Sequence, residues 1–211
     1  MELTVTPEPR RRRKQQRNRE ALIDAAYHLM ARYGPDDVTM LQIAEHADLG
    51  AGTVYNYFTS KDELAVAVMD KVYLRLTERI HEVTKAFDDP IDVCVYAIRA
   101  TMITAASSPL WARLMSKAVA AAEVMFRQMG PSTITDLEKA LATGIAEFQN
   151  PELTWRLMTH ALIGFGLEVR QNHISIDTLD ESLAALLGIL GIHRDIALKY
   201  AAKSWPDLPE D

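Results

Sequence analysis

Apolar residues recur at helical stride along almost the whole chain, a pattern that predicts an all-α protein of about nine or ten helices. Pro, Gly and Asp clusters separate these segments instead of marking strand turns. Leu22, Ala25, Ala26, Leu29 and Tyr33 line one face of a first helix that Gly34-Pro35 stops. Thr39 opens a short second helix to about Ala47, and a third covers about Ala51 to Tyr57. Ser60 is placed to cap a long fourth helix, in which Leu64, Val68, Val72, Leu76, Ile80, Val83 and Phe87 recur at steps of four and three. Further helices are expected over about 91–106, from Leu110 after Ser108-Pro109, and over about 132–149 beyond a break at Gly130-Pro131. Asn150-Pro151 starts another that ends near Gln171. Asp177 caps one over about 178–190, and a last helix covers about 193–204.

Residues 39–58 have the pattern of two short helices joined by a tight turn, a helix-turn-helix. Ile43, Ala44, Leu49, Val54 and Phe58 supply the apolar positions that pack this pair on the first helix, and small Ala44 permits close crossing. Ala51, Gly52, Thr53, Tyr55, Asn56 and Tyr57 fall on the outside of the second short helix. Such a helix fits a DNA major groove about 12 Å wide. Gly52-Thr53-Val54-Tyr55-Asn56-Tyr57-Phe58, followed by Ser60-Lys61-Asp62-Glu63-Leu64, resembles the TetR family of bacterial transcriptional repressors. The match covers residues 18–65; the rest agrees in length and helical character.

The resemblance implies that Thr39, Thr53, Tyr55, Tyr57 and Lys61 contact phosphates, while Ala51, Gly52 and Asn56 lie nearest the bases. The chemistry agrees, since hydroxyls and a lysine at helix starts satisfy phosphate oxygens and an amide pairs bidentately with adenine. Two positions depart from the family pattern: Asp48 stands where a turn glycine is usual and Gly50 where a capping serine is usual. Asp tolerates the left-handed conformation, and Gly is an acceptable but weaker cap.

Charge changes this picture. The net charge of −6 over 211 residues argues against nucleic acid until it is divided along the chain. Residues 1–20 hold seven basic side chains, among them Arg10, Arg11, Arg12 and Arg13, against three acidic ones, while residues 62–211 carry 14 basic and 21 acidic groups. The recognition helix contains no Arg or Lys, so phosphate neutralisation falls to Lys61 and the Arg10 to Arg19 segment. The alternative for that segment is a solvated tail. The division expected is 1–16 basic disordered arm, 17–60 DNA-binding domain, 61–205 ligand-binding and dimerisation domain, and 206–211 tail.

In the helix near 152–171, Trp155, Met158, Leu162, Phe165 and Val169 form one stripe, and Leu153, Leu157, Ala161, Gly164 and Leu167 form another. The next helix repeats this with Leu179, Leu183, Leu186 and Leu190 beside Ala184, Leu187 and Ile189. Helices apolar on two sides bury both, which points to a homodimer four-helix bundle or to a central position in the core. Met102, Trp111, Met115, Met125, Met129, Phe126, Phe148, Trp155 and Met158 concentrate soft and aromatic groups before it, with Arg99, Thr101, Arg113 and His160 as polar candidates. The resemblance implies a cavity here for a small, largely apolar effector. From the residues alone, plain core is the better account of them.

Catalytic and cofactor grammar is missing. Glu78-Arg79-Ile80-His81 has the spacing of di-iron bundles but only one copy, and no glycine-rich phosphate loop, nucleophile elbow or His-Cys cluster occurs. No cofactor, no metal and no enzymatic activity are expected. One cysteine, Cys94, and the lack of an export signal or a span-length apolar run fit a cytoplasmic protein without a membrane partner. The expected partners are a double-stranded DNA operator, a small effector and a second copy of the chain. A rival is an interaction adaptor of the same fold with secondary or no DNA binding.

Overall fold

The computed structural model describes residues 10–209 apart from Ser116, and the described residues form ten α-helices and two short 3-10 turns. The chain divides into two compact units at Val68 and Met69.

The first unit is built on α1 (Arg10–Tyr33), α2 (Met40–His46) and α3 (Ala51–Val54), with the start of α4 (Lys61–Thr84). Leu22, Ala26, Met30, Ile43, Ala44, Val54, Phe58 and Leu64 are at most 1% exposed and form its core. Gly34 ends α1 with φ +100°, its N–H donating to Met30 O at 2.9 Å. A reciprocal capping box starts α2: Thr39 Oγ1 accepts from Gln42 N at 3.2 Å, and Thr39 N donates to Gln42 Oε1 at 2.9 Å. Asp48 takes φ +54° in the turn, and Gly50 caps α3 without a side-chain bond. Ser60 Oγ accepts from Glu63 N at 3.1 Å at the start of α4. Asp62 and Glu63 in that first turn complement the helix dipole.

Three sequence expectations change in this unit. Residues 10–16 continue α1 as helix where an irregular arm is expected, because nothing in Arg10 to Arg19 breaks a helix; residues 1–9 lie outside the described part. The recognition helix is one α-turn, Ala51–Val54, extended by three turn residues instead of regular α-helix to Tyr57. Asn56 N donates to Thr53 O and Tyr57 N to Val54 O at 3.1 and 3.0 Å, which tightens the spiral so that Phe58 reaches the core. Leu49, expected in the core, is half-buried.

The second unit contains the remainder of α4, α5 (Pro90–Ser107), α6 (Pro109–Met115), α7 (Ala118–Ala142), α8 (Pro151–Arg170), α9 (Leu179–Leu187) and α10 (Arg194–Ala201). Asp89 and Asn150 cap α5 and α8, accepting from Ile91 N at 2.8 Å and Leu153 N at 3.0 Å, each with proline at the first helical position. α5, α7 and α8 form the centre. Gly166 lets α8 approach α5 so closely that a Cβ on it would lie 2.8 Å from the Cβ of Ala105.

Gly130-Pro131 does not break the chain, since α7 runs through it. A proline inside a helix removes one hydrogen bond and crowds the preceding turn. The buried stripe nevertheless stays in stride across it, with Ala122, Met125 and Met129 before and Leu137 and Ala140 after, and packing outweighs the lost bond. The helix ends at Ala142, not near 149, where Gly144 turns the chain at φ +71°. Asp177 is not the cap of the next helix. Ser175 caps a 3-10 turn, Ile176–Thr178, and α9 follows from Leu179.

Trp205 and the residues after it, of which 206–211 are expected to be a tail, pack through Pro209. Trp205 Nε1 donates to Tyr200 O at 3.3 Å, its ring lies 5.9 and 6.1 Å from Phe87 and Tyr96, and Arg79 Nε donates to Pro209 O at 2.5 Å. Residues 210 and 211 lie outside the described part.

Gly191 is the glycine that the fold cannot replace. Its φ is +66°, and a Cβ would lie 2.0 Å from Glu147 O. Gly191→Ala is expected to destabilise the protein by at least about 2 kcal/mol, whereas Gly188→Ala, with φ −62° and nothing near its side, changes stability by under about 1 kcal/mol. Thermal unfolding of the two variants checks the contrast.

Candidate nucleic-acid interface and ligand cavity

The exposed side of the first unit carries the predicted DNA contacts. Thr39, Ala51, Gly52, Tyr55 and Asn56 are exposed, Thr53, Tyr57 and Lys61 are half-buried, and Tyr55 reaches 61% exposure. Nothing lies within 4 Å of where a Cβ on Gly52 would stand. Its lack of a side chain therefore serves no packing within the chain. Lys61 Nζ donates to Asp36 O at 2.8 Å, so the ammonium is held at the turn between α1 and α2. Thr59 donates to Glu63 Oε2 from both N and Oγ1, at 2.6 and 2.8 Å, and these bonds, the backbone one first, lower the Glu63 pKa.

Arg10, Arg11, Arg12, Arg13, Lys14 and Arg17 are exposed on the opening turns of α1, and the Arg19 guanidinium lies 5.1 Å from the Phe58 ring centroid. The first turn of α1 has no acidic residue. Cations there oppose the helix dipole, whose positive end is the N-terminus.

The second unit contains a cavity between α5, α7 and α8. Cys94, Ala97, Ile98 and Thr101 line it from α5; Met129, Thr133, Asp136 and Leu137 from α7; Trp155, Met158 and Leu162 from α8; and Leu190 closes it. The space open to the centre of a water-sized sphere is about 40 Å³. By the measure in which one water takes about 10–15 Å³, this is room for a few waters, and a ring enters only as the surrounding side chains shift.

Of the soft and aromatic residues named for a cavity, Met129, Trp155 and Met158 line this one, as does the polar candidate Thr101. The others are elsewhere. Met102, Met115 and Met125 are fully buried core, and Trp111 packs edge-on to Tyr73 at 4.8 Å. Phe126 is half-buried beneath Arg156, whose guanidinium is 3.8 Å from the ring centroid. Phe148 is in the loop beyond α7, and His160 is exposed with Nδ1 2.9 Å from Arg156 O. Arg99 is paired with Asp180 at 2.7 Å.

Selecting large soft residues finds the core, whereas a hole opens where side chains are short. The cue missed is small residues at helical stride, Cys94, Ala97 and Thr101 on α5 facing Thr133 on α7.

The predicted dimer contacts also divide. Leu183 and Leu190 are 0% exposed within a single chain, so they belong to its own core, Leu190 at the cavity. Leu157 is 55% exposed, as is Leu153 one turn earlier, and Ala161, Gly164, Leu179 and Leu186 are half-buried. No atom lies within 4 Å of a Cβ position on Gly164. Among the described residues no cluster of His, Cys, Asp and Glu could hold a metal, and no single helix is long and apolar enough to cross a membrane.

Burial pushes the Cys94 thiol up to about 12, helped by the charges of Asp136 and Asp89. At pH 8 only about one part in ten thousand is thiolate, the nucleophilic form. Cys94 is expected to resist alkylation by iodoacetamide at pH 8 and to react once the chain is unfolded, a difference mass spectrometry reads directly. The raised value favours the fold at neutral pH. That advantage is lost as pH rises above the unfolded thiol's value, near 9, toward 12.

The profile described as bacterial regulatory proteins of the tetR family matches residues 22–68, and that of the tetracyclin repressor-like C-terminal domain matches residues 89–203. An uncharacterised HTH-type transcriptional regulator of Haemophilus influenzae is 37% identical over 71 residues, 32% of this chain and 38% of that protein. The HTH-type transcriptional repressor KstR of Rhodococcus jostii is 35% identical over 65 residues, 31% of each. The chain thus matches about a third of the length of these curated relatives. The crystal structure of RolR in complex with resorcinol superposes with a TM-score of 0.84 and 27% identity, covering 94% of this chain and 100% of that one. With both of its units matched, over more than half of its length in the second alone, the chain belongs to the TetR family of bacterial regulatory proteins.

Proposed function

We propose that this chain is a ligand-responsive transcriptional repressor that binds a palindromic operator as a homodimer and leaves it when a small effector enters the cavity between α5, α7 and α8. Gly52 carries the DNA part of this reading. A glycine on an exposed helical turn, with open space where its side chain would be, suits the close approach of a surface outside the chain. Tyr55, Asn56 and Thr53 beside it supply hydroxyls for phosphate and an amide for a base edge. Arg10, Arg11, Arg12 and Arg13 add the counter-charge that the recognition turn lacks. The repressor KstR, among the relatives, supports the direction of regulation.

The effector site rests on the cavity and on the likeness to RolR, whose structure contains resorcinol. Linkage then gives the mechanism. The effector binds better to a dimer geometry in which the two recognition turns no longer fit successive grooves, and DNA affinity falls by the same factor. α4 is the covalent route between the units, which divide within it.

A second copy is read onto the outer face of α8, where Leu153, Leu157, Ala161 and Gly164 recur at steps of four and three, with Leu179 and Leu186 from α9. Small residues at 161 and 164 permit two such helices to approach closely. An operator-binding role carries with it a cytoplasmic setting.

Two substitutions test the proposal. Gly52→Ala is expected to leave the fold unchanged or up to about 1 kcal/mol more stable, through helix propensity, while weakening DNA binding at least about tenfold. Genomic fragments selected by the wild-type protein serve as the ligand in a mobility-shift titration. Equal DNA affinity in the variant would remove the close-approach role. Leu157→Glu puts a charge on the α8 face, and sedimentation should show at least about tenfold weaker dimerisation. An unaltered sedimentation coefficient would move the interface elsewhere.

A further inference from the structure

The cavity is chemically unbalanced. Trp155 is 3% exposed and lines it, yet its Nε1 has no hydrogen-bond partner. An indole N–H can only donate. Gly130 on α7 keeps that edge clear, because a Cβ there would stand 3.3 Å from Nε1 and 3.6 Å from Cδ1. Elsewhere on the wall two groups accept. Thr101 Oγ1 gives its hydrogen to Ala97 O at 2.8 Å, leaving the oxygen as an acceptor, and Asp136 presents a carboxylate. Lys139 Nζ is 3.2 Å from Asp136 Oδ1 and balances its charge. Among the described residues lining the cavity there is no lysine, arginine or histidine.

We propose that the cavity selects an uncharged, hydroxylated ring compound, with Trp155 Nε1 donating to a ligand oxygen and Asp136 accepting a hydroxyl hydrogen. This rests on the effector-site reading above and adds to it the anchoring residues and the charge of the ligand. A hydroxyl both donates and accepts, so it meets the indole and the carboxylate alike. A carboxylate ligand gives up its hydration in the cavity with no lysine, arginine or histidine on the wall to pair with it. An ammonium gains little from Asp136, which Lys139 already pairs, and leaves the Trp155 N–H unanswered. Met129 and Met158 offer sulfur to a ring and are flexible enough to shift around it, and the small volume disfavours an extended chain.

The test is a calorimetric titration of the full-length protein with resorcinol, phenol, benzene, benzoate and benzylammonium, repeated with Trp155→Phe, Gly130→Ala and Asp136→Asn. Resorcinol and phenol are expected to bind at least tenfold more tightly than the other three. Trp155→Phe, which keeps the ring and removes the donor, should weaken both phenols about tenfold and leave benzene unchanged. Gly130→Ala, which sets a methyl group against the indole N–H, should do the same without altering the tryptophan. Asp136→Asn should weaken the phenols and narrow their margin over benzoate. Circular dichroism establishes that each variant is folded. If benzoate binds most tightly, or folded Trp155→Phe and Gly130→Ala both keep wild-type affinity for the phenols, the proposal is overturned. Benzene binding as well as phenol also overturns it while leaving the effector site intact; no binding by any of these rings removes the effector-site reading as well.

Discussion

Helix α8 has more apolar surface than one chain can cover, and much of the second unit follows from that. Its inner side, Trp155, Met158 and Leu162, is shared between core and cavity wall, while Leu153 and Leu157 remain exposed on its outer side. One element thereby faces the cavity on one side and the proposed partner on the other. It is 20 residues long and packs against α5 and α7, with Gly166 in close contact with Ala105.

Much of this was legible in the sequence. The helical stride of Leu22, Ala26, Ile43, Val54 and Phe58 gives the first unit, and the turn positions are set by residues whose chemistry is local: Thr39 as a cap, Gly34 and Asp48 in left-handed conformations. Pro131 was not legible, because a proline announces a break through its own backbone whereas the helix is held by neighbours distant in sequence. Leu183 and Leu190 failed for a related reason. An apolar residue carries no mark of whether its own chain or a copy will cover it, and here the chain itself does. The cavity was half legible. Trp155 and Met158 are conspicuous, but the void between them and α5 is made by Ala97 and Thr101, which look ordinary in any helix.

The DNA-facing unit shows how a protein of net charge −6 approaches an anion. Its cations are placed along the first turns of α1 and at Lys61, and the recognition turn between them is uncharged. The proposed reading gives affinity and selectivity to different residues: arginines for attraction, and Gly52, Asn56 and their neighbours for fit. Lys61 Nζ also donates to Asp36 O, so the cation proposed for phosphate is tied to the turn before α2.

The packing of Trp205 against Phe87 and Tyr96 bears on how the protein is made. These partners are separated by most of the second unit, so its core is closed only once Trp205 has left the ribosome. The first unit has by then had all its residues for some time. At about 5–20 residues per second, the stretch from Met69 to Trp205 takes roughly seven to thirty seconds to synthesise. In each newly made molecule, the DNA-facing unit is therefore complete well before the unit that would regulate it.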